Sequence, residues 1–155
     1  MTAGPHVYVD ADACPVKAEV ARVAERHGLA VTYVANAWMQ APRAPRVRMQ
    51  VVTGAFDAAD DWIAGQVRDS DIVITADIPL ASRCLKAGAR VLGPSGRRFT
   101  DDNIGDALAT RELKSDLRAY GVGGGPPPFS PRDRSRFLDA LELVVRDARR
   151  QHPAK

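Results

Sequence analysis

The chain has 155 residues, of which 45% are hydrophobic, and a formal net charge of +3 at pH 7. This length and hydrophobic content suit one compact domain, and the small basic excess permits an anionic partner such as nucleic acid without demonstrating one. Cys14 and Cys84 lie far apart, without the spacing of a zinc site or a disulfide scaffold, which favours a reducing cytoplasm. No apolar run approaches the roughly 20 residues of a membrane span, so we expect no membrane partner.

Short apolar runs rich in β-branched residues predict about five strands, at residues 6–9, 30–34, 47–53, 71–75 and 89–92. Segments with helical spacing lie between most of these runs and end near Gly28, Ser70 and Gly88. Residues 36–46 contain two prolines and no periodicity, which predicts a loop. The alternation of strand and helix predicts an α/β fold with a mostly parallel central sheet and helices on both faces.

The pattern changes after the fifth predicted strand. We expect a helix across residues 101–120, a Gly/Pro-rich loop at residues 121–130, and a final helix over residues 131–149. The loop is either a flexible tether or a shaped surface loop. Ser130 is predicted to cap the final helix, with Pro131 at its first position and Asp133 completing a variant capping box. Residues 1–155 are therefore expected to form a single domain.

Aspartates follow two of the predicted strands and open one predicted helix. Asp10 and Asp12 close the first strand in VYVDADACP, and Asp77 closes the fourth in VITAD. Ligands of an open parallel sheet bind beyond the carboxyl ends of its strands, so these acids converge if the two strands are neighbours. Asp57 and Asp60 lie on one face at the start of the helix that follows the third strand.

Each of these aspartates has an ordinary alternative role as a helix cap, and Asp57 is well placed to be one. Together, however, carboxylates without basic partners repel one another unless a cation neutralises them. A set of hard oxygen ligands without His or Cys favours Mg²⁺ or Mn²⁺ over zinc. We therefore predict one metal-binding pocket lined by Asp10, Asp12, Asp57, Asp60 and Asp77.

Five segments of the chain carry a resemblance to a known family. They are VDADACPVK at residues 9–17, DAAD at 57–60, TADIPLA at 75–81, GPSGRRFT at 93–100, and GGPPPF at 124–129 with Asp133 and Arg134. With these segments the chain resembles, over nearly its whole length, the bacterial YaiI/YqxD proteins, which are related to PIN-like and NYN-type nuclease domains.

The resemblance implies a PIN-like domain that cleaves phosphodiesters with one or two divalent ions. In such relatives the acids lie on the first strand, a helix and the fourth strand; the matching positions are Asp10, Asp57 or Asp60, and Asp77, with Asp10 and Asp77 as the catalytic pair. A further acid often follows the fourth strand, and this chain has none in residues 78–81. Either Asp12 substitutes for that acid, or the second ion is weak or absent.

Basic and polar residues predict an anion-binding turn beside the acids. Ser95, Gly96 and Arg97 follow the fifth strand, where glycine permits close approach of a phosphate and arginine can bind its oxygens in a bidentate manner. The alternative is an ordinary turn with solvated arginines. Lys17, one turn into the first helix, is a further candidate for contact with an anionic substrate. Arg134, in the last helix, either pairs with an acid or contacts the substrate.

The expected function is therefore hydrolysis of a phosphodiester by metal-activated water, with RNA favoured over DNA or a small nucleotide. A non-catalytic RNA- or nucleotide-binding module with a structural ion is one alternative. A phosphatase of the haloacid dehalogenase type is another, because its nucleophile also lies in Asp-x-Asp after an apolar strand. Cys14 and Pro15 depart from that pattern. Trp38, in the predicted loop, is a candidate for base stacking, and Trp62 is predicted to pack in the core.

Overall fold

The computed structural model of the chain describes residues 4–55, 57–121 and 128–151. The strands are β1 (Val7–Asp10), β2 (Val31–Ala35), β3 (Val47–Val51), β4 (Ile72–Ile74), β5 (Arg90–Leu92) and β6 (Arg98–Phe99). The helices are α1 (Lys17–His27), α2 (Ala58–Gln66), α3 (Ile78–Lys86), α4 (Ile104–Ala119) and α5 (Pro131–Gln151). The predicted α/β class is confirmed.

The six strands form one sheet in the order β3-β2-β1-β4-β5-β6. The first five are parallel, as predicted, whereas β6 pairs antiparallel with β5. The prediction of about five strands missed β6 because two residues are too short to show a period of two. The chain winds outward from β1 through β2 to β3 and returns to β4 on the other side of β1. The carboxyl ends of β1 and β4 therefore meet at the point where the winding direction changes.

Buried side chains cover both faces of the sheet. One cluster packs β1, β2 and β4 against α1 and α5, with Val20 and Phe137 both fully buried. The other cluster packs the opposite face against α2 and α3 through Ile63 and Leu80. Burial on both faces explains why the central strands are continuously apolar instead of alternating. None of the helices that the structure describes combines the length and apolarity needed to cross a membrane.

Local hydrogen bonds determine where the last two helices begin. Helix α4 begins at Ile104 and not at residue 101, because Thr100 and Asn103 exchange side-chain bonds that hold the preceding turn. Before α5, the Ser130 backbone N–H donates to Asp133 Oδ2 at 3.0 Å, and the Asp133 N–H donates to Ser130 Oγ at 3.2 Å. This confirms the predicted capping box. Most of the predicted Gly/Pro-rich loop, residues 122–127, lies outside the described residues.

Candidate functional site

Asp10 lies at the carboxyl end of β1, directly beside the end of β4. Its Oδ2 atom accepts a 2.7 Å hydrogen bond from the buried hydroxyl of Thr75. The same hydroxyl oxygen accepts a 3.0 Å hydrogen bond from the backbone N–H of Asp77. Thr75 therefore connects the acid of the first strand to Asp77, the residue directly before helix α3. Sequence reasoning did not single out Thr75, although it stands two residues before Asp77 in the segment TADIPLA.

Asp77 is held in place because it caps helix α3. Its Oδ1 atom accepts a 2.9 Å hydrogen bond from the backbone N–H of Leu80, and a proline lies in the first turn. The capping role and a role in the acidic site are compatible, since the cap fixes the carboxylate next to Asp10. Asp57 occupies the predicted N-cap position of α2, but its side chain makes no cap hydrogen bond and is exposed.

The pKa shifts identify which acids act on one another. Burial, followed by the negative charges of Asp77 and Asp10, raises the pKa of Asp60 to about 6. The pKa of Asp10 is also raised, first by burial and then by Asp77 and Asp12, although the Thr75 hydrogen bond opposes the rise. Within the described residues, none of Asp10, Asp60 and Asp77 forms an ion pair with a basic side chain. The carboxylates of β1, α2 and the start of α3 thus form a group with uncompensated negative charge, which we call the acidic cluster (Asp10, Asp60 and Asp77).

The raised pKa of Asp60 predicts a stability difference that depends on pH. The ordinary pKa of its carboxyl is 3.8, against about 6 in the folded, metal-free protein. The folded state therefore binds more protons than the unfolded state, and this group's contribution to stability is lost as the pH rises through that window. In EDTA, Asp60→Asn should melt at a higher temperature than the wild type, by a margin that grows from about pH 4 to about pH 7. Thermal denaturation across this range measures the margin, and a margin that is absent or independent of pH contradicts the prediction.

A small cavity opens where the winding direction of the sheet changes. It has a volume of ≈ 80 Å³, and Asp10, Asp12, Thr75 and Pro94 are among the residues that line it. Asp12 is exposed, and its Oδ2 atom accepts a 3.1 Å hydrogen bond from the backbone N–H of Asn36. The cavity is smaller than the roughly 300 Å³ of a small-molecule pocket, so it suits an ion with part of its water shell better than a nucleotide.

The five predicted metal ligands are not equally placed. Asp10 and Asp12 line the cavity. The charge of Asp77 raises the pKa of Asp10, and the charges of Asp77 and Asp10 raise the pKa of Asp60. Asp57 is exposed at the start of α2. Among the described residues, no group of three His, Cys, Asp or Glu side chains is arranged to hold one ion directly. A cation that binds through one or two carboxylates and keeps several waters, as Mg²⁺ usually does, fits this arrangement.

Lys17 and Arg134, two of the predicted substrate contacts, have protein partners. The Lys17 ammonium donates a 2.7 Å hydrogen bond to the backbone carbonyl of Cys14, a residue that lines the cavity. Arg134 Nε lies 3.0 Å from Glu19 Oε2 of α1, and the guanidinium lies over the Phe129 ring. Lys17 therefore stays close to the acidic edge, while Arg134 joins the start of α5 to α1.

The predicted anion-binding turn forms the connection between β5 and β6. Ser95 and Arg97 are exposed, and the Arg97 guanidinium lies 5.1 Å from the centre of the Phe99 ring. Gly96 has a φ of +95°, and a Cβ atom at this position would lie 2.9 Å from the backbone of Arg136 in α5. Packing against α5 is thus enough to require glycine here. The neighbouring Pro94 lines the cavity, whereas Ser95, Gly96 and Arg97 do not, so anion binding by this turn stays a prediction.

Comparison with known proteins shows which family the chain belongs to. A family model described as "Uncharacterized BCR, YaiI/YqxD family" matches residues 8–147. A "UPF0178 protein" of Rhodopseudomonas palustris (strain HaA2) is 54% identical over 149 residues, covering 96% of this chain and 91% of the relative. One from Nitrobacter winogradskyi is 55% identical over 150 residues, and "UPF0178 protein Atu1478" of Agrobacterium fabrum is 54% identical over 147; each covers at least 94% of both chains. No solved structure matches the chain.

Proposed function

The chain belongs to the YaiI/YqxD family, and we propose that it hydrolyses phosphodiester bonds of RNA with the help of Mg²⁺ or Mn²⁺. The observation that carries the proposal is the acidic cluster of Asp10, Asp60 and Asp77. The charge of Asp77 raises the pKa of both Asp10 and Asp60, and among the described residues no basic side chain forms an ion pair with any of the three. Such an arrangement is costly in a metal-free protein, and a divalent cation relieves the cost.

The chain's own groups provide position and charge for this chemistry. The hydrogen bond from Thr75 orients the Asp10 carboxylate, and the hydrogen bond from the Leu80 N–H orients the Asp77 carboxylate, so both side chains are held in fixed positions. Asp60 has a pKa of about 6 in the metal-free protein, so its carboxyl group can hold or release a proton near neutral pH. A divalent cation bound between Asp10 and Asp77 would activate water and offset the negative charge that develops on the phosphate. Lys17 lies close enough to this edge to attract an anionic substrate.

The proposal is tested with purified wild-type protein and labelled single-stranded and double-stranded RNA and DNA. We expect cleavage of RNA with Mn²⁺ or Mg²⁺ and none with EDTA, together with an increase in melting temperature on addition of Mn²⁺. Protein that binds Mn²⁺ but cuts no oligonucleotide would support the alternative, a binding module with a structural ion. Release of phosphate from phosphomonoesters, with oligonucleotides left intact, would support the phosphatase alternative.

A further inference from the structure

Trp38 is a large apolar side chain that the fold leaves in solvent. It lies in the loop between β2 and β3 and is 70% exposed, whereas Trp62 packs against Tyr8 with ring centres 6.2 Å apart. The exposure of Trp38 does not arise from a loose loop. The next residue, Met39, and the nearby Ala41 both pack against the core formed by β1, β2, α1 and α5. An indole held outward on an anchored loop has the geometry of a binding platform.

Further hydrogen bonds fix both ends of this loop. At its start, the Asn36 backbone N–H donates to Asp12 Oδ2 at 3.1 Å. At its end, the Arg46 carbonyl accepts a 3.0 Å hydrogen bond from the Val31 N–H, beside the first residue of β3. Trp38 follows Asn36 by two residues, so its backbone lies within about 7 Å of Asn36. The backbone of Trp38 therefore lies near the carboxyl end of β2, the edge of the sheet where Asp12 lies.

The charge around Trp38 favours an anionic partner. Residues 36–55 contain Arg43, Arg46 and Arg48 and no acidic residue. All three arginines are exposed, and none forms an ion pair with another described residue. Trp38 and Arg43 both line a groove of ≈ 320 Å³ whose other walls are mainly apolar, including Pro42 and Met49. An apolar groove with one aromatic wall and one free guanidinium matches a base with its attached phosphate.

We propose that Trp38 and Arg43 form a stacking subsite for a single-stranded nucleic acid: a base lies on the indole and its phosphate contacts the guanidinium. Stacking on an indole tolerates any base, so the subsite binds strands with little sequence preference. A double helix keeps its bases stacked on one another and cannot offer a free base face to Trp38. Binding at Trp38 is independent of the proposed function. Only the further step, in which the next phosphodiester along the strand reaches the acidic cluster, rests on the proposed function.

Binding is measured in EDTA, so that cleavage cannot contribute, with labelled eight-nucleotide oligo(U) and oligo(dT). In a Trp62→Phe background Trp38 is the sole tryptophan, and we expect its emission to be quenched as either strand binds. Trp38→Ala should weaken binding roughly 5- to 100-fold, and Trp38→Phe should keep most of the affinity. Arg43→Gln should reduce the slope of log K against log salt by about 0.7. Comparison of the two strands shows whether the ribose hydroxyl contributes.

Tyr120→Ala is the matched control, because Tyr120 is an 84% exposed aromatic side chain at the end of α4. We expect this variant to bind both oligonucleotides as the wild type does. Equal affinities of Trp38→Ala and wild type would overturn the proposal, as would equal losses in Trp38→Ala and Tyr120→Ala. A wild-type dimer in sedimentation that Trp38→Ala converts to monomer would also overturn it, since Trp38 would then cover a contact with a second copy of this chain.

The two proposals fail in distinguishable ways. If strands bind through Trp38 in EDTA but are never cut with Mn²⁺, the subsite stands and the proposed hydrolysis does not. If RNA is cut with Mn²⁺ and Trp38→Ala changes neither affinity nor KM, the hydrolysis stands and the subsite does not.

Discussion

Asp10→Asn should remove cleavage that depends on Mg²⁺ or Mn²⁺, lowering its rate by about 100-fold or more, because the proposed cation would lose a charged ligand. The variant should still fold. The amide oxygen of asparagine can accept the hydrogen bond that the Thr75 hydroxyl donates, and a half-buried charge that repels Asp77 and Asp12 is gone. We therefore expect a melting temperature in EDTA that equals or exceeds that of the wild type. Calorimetry with Mn²⁺ measures the loss of metal binding, and an assay with labelled RNA measures the loss of cleavage.

Asp61→Asn is the matched control for this substitution. Asp61 also lies near the start of α2, next to Asp60, but its carboxylate is exposed and pairs with Arg83 at 2.7 Å. Exposed ion pairs contribute about 0–1 kcal/mol, so the variant should fold normally and cut RNA at a rate close to that of the wild type. Activity that survives Asp10→Asn in the purified protein would show that the cleavage does not arise at the acidic cluster.

The placement of Asp10 next to the end of β4 could be predicted from the sequence for a simple reason. Apolar runs separated by helical segments imply parallel strands, and parallel strands with one change of winding direction bring two carboxyl ends together. The structure has β1 and β4 as neighbours, with Val9 opposite Ile74. Asp10, the last residue of β1, and Asp77, which follows β4, are close because of that topology.

The remaining features depend on side-chain packing between distant elements, which spacing along the chain does not encode. Glu19 and Arg134 pair across α1 and α5, which is one of the two roles predicted for Arg134, but the sequence does not show which acid is the partner. Gly96 could be interpreted as a phosphate contact from its neighbours in sequence, but its close approach to Arg136 becomes evident only when α5 is in place. Residue type alone likewise cannot show that the hydroxyl of Thr75 connects two acids.

Thr75→Val should weaken Mn²⁺ binding and RNA cleavage by about 10- to 100-fold, the usual effect of removing a group that orients a metal ligand. Valine has nearly the same shape but cannot donate to Asp10 Oδ2 or accept from the Asp77 N–H. The two half-buried groups left unpaired should lower the free energy of unfolding by about 1 kcal/mol. Because the Thr75 hydrogen bond lowers the pKa of Asp10, its loss should raise that pKa further and move the onset of Mn²⁺ binding to higher pH.

A second buried threonine provides a control that distinguishes a general loss of stability from a misplaced Asp10 carboxylate. Thr32 lies in β2, is 3% exposed, and its hydroxyl is 2.7 Å from His6 Nε2. Thr32→Val should therefore cost a similar free energy of unfolding but leave Mn²⁺ binding and its pH dependence unchanged. Thr75→Ser keeps the hydroxyl and should bind Mn²⁺ nearly as the wild type does. If Thr75→Val and Thr32→Val lose stability equally and both bind Mn²⁺ normally, Thr75 serves the fold alone, and the orientation of Asp10 must come from the end of β1 itself.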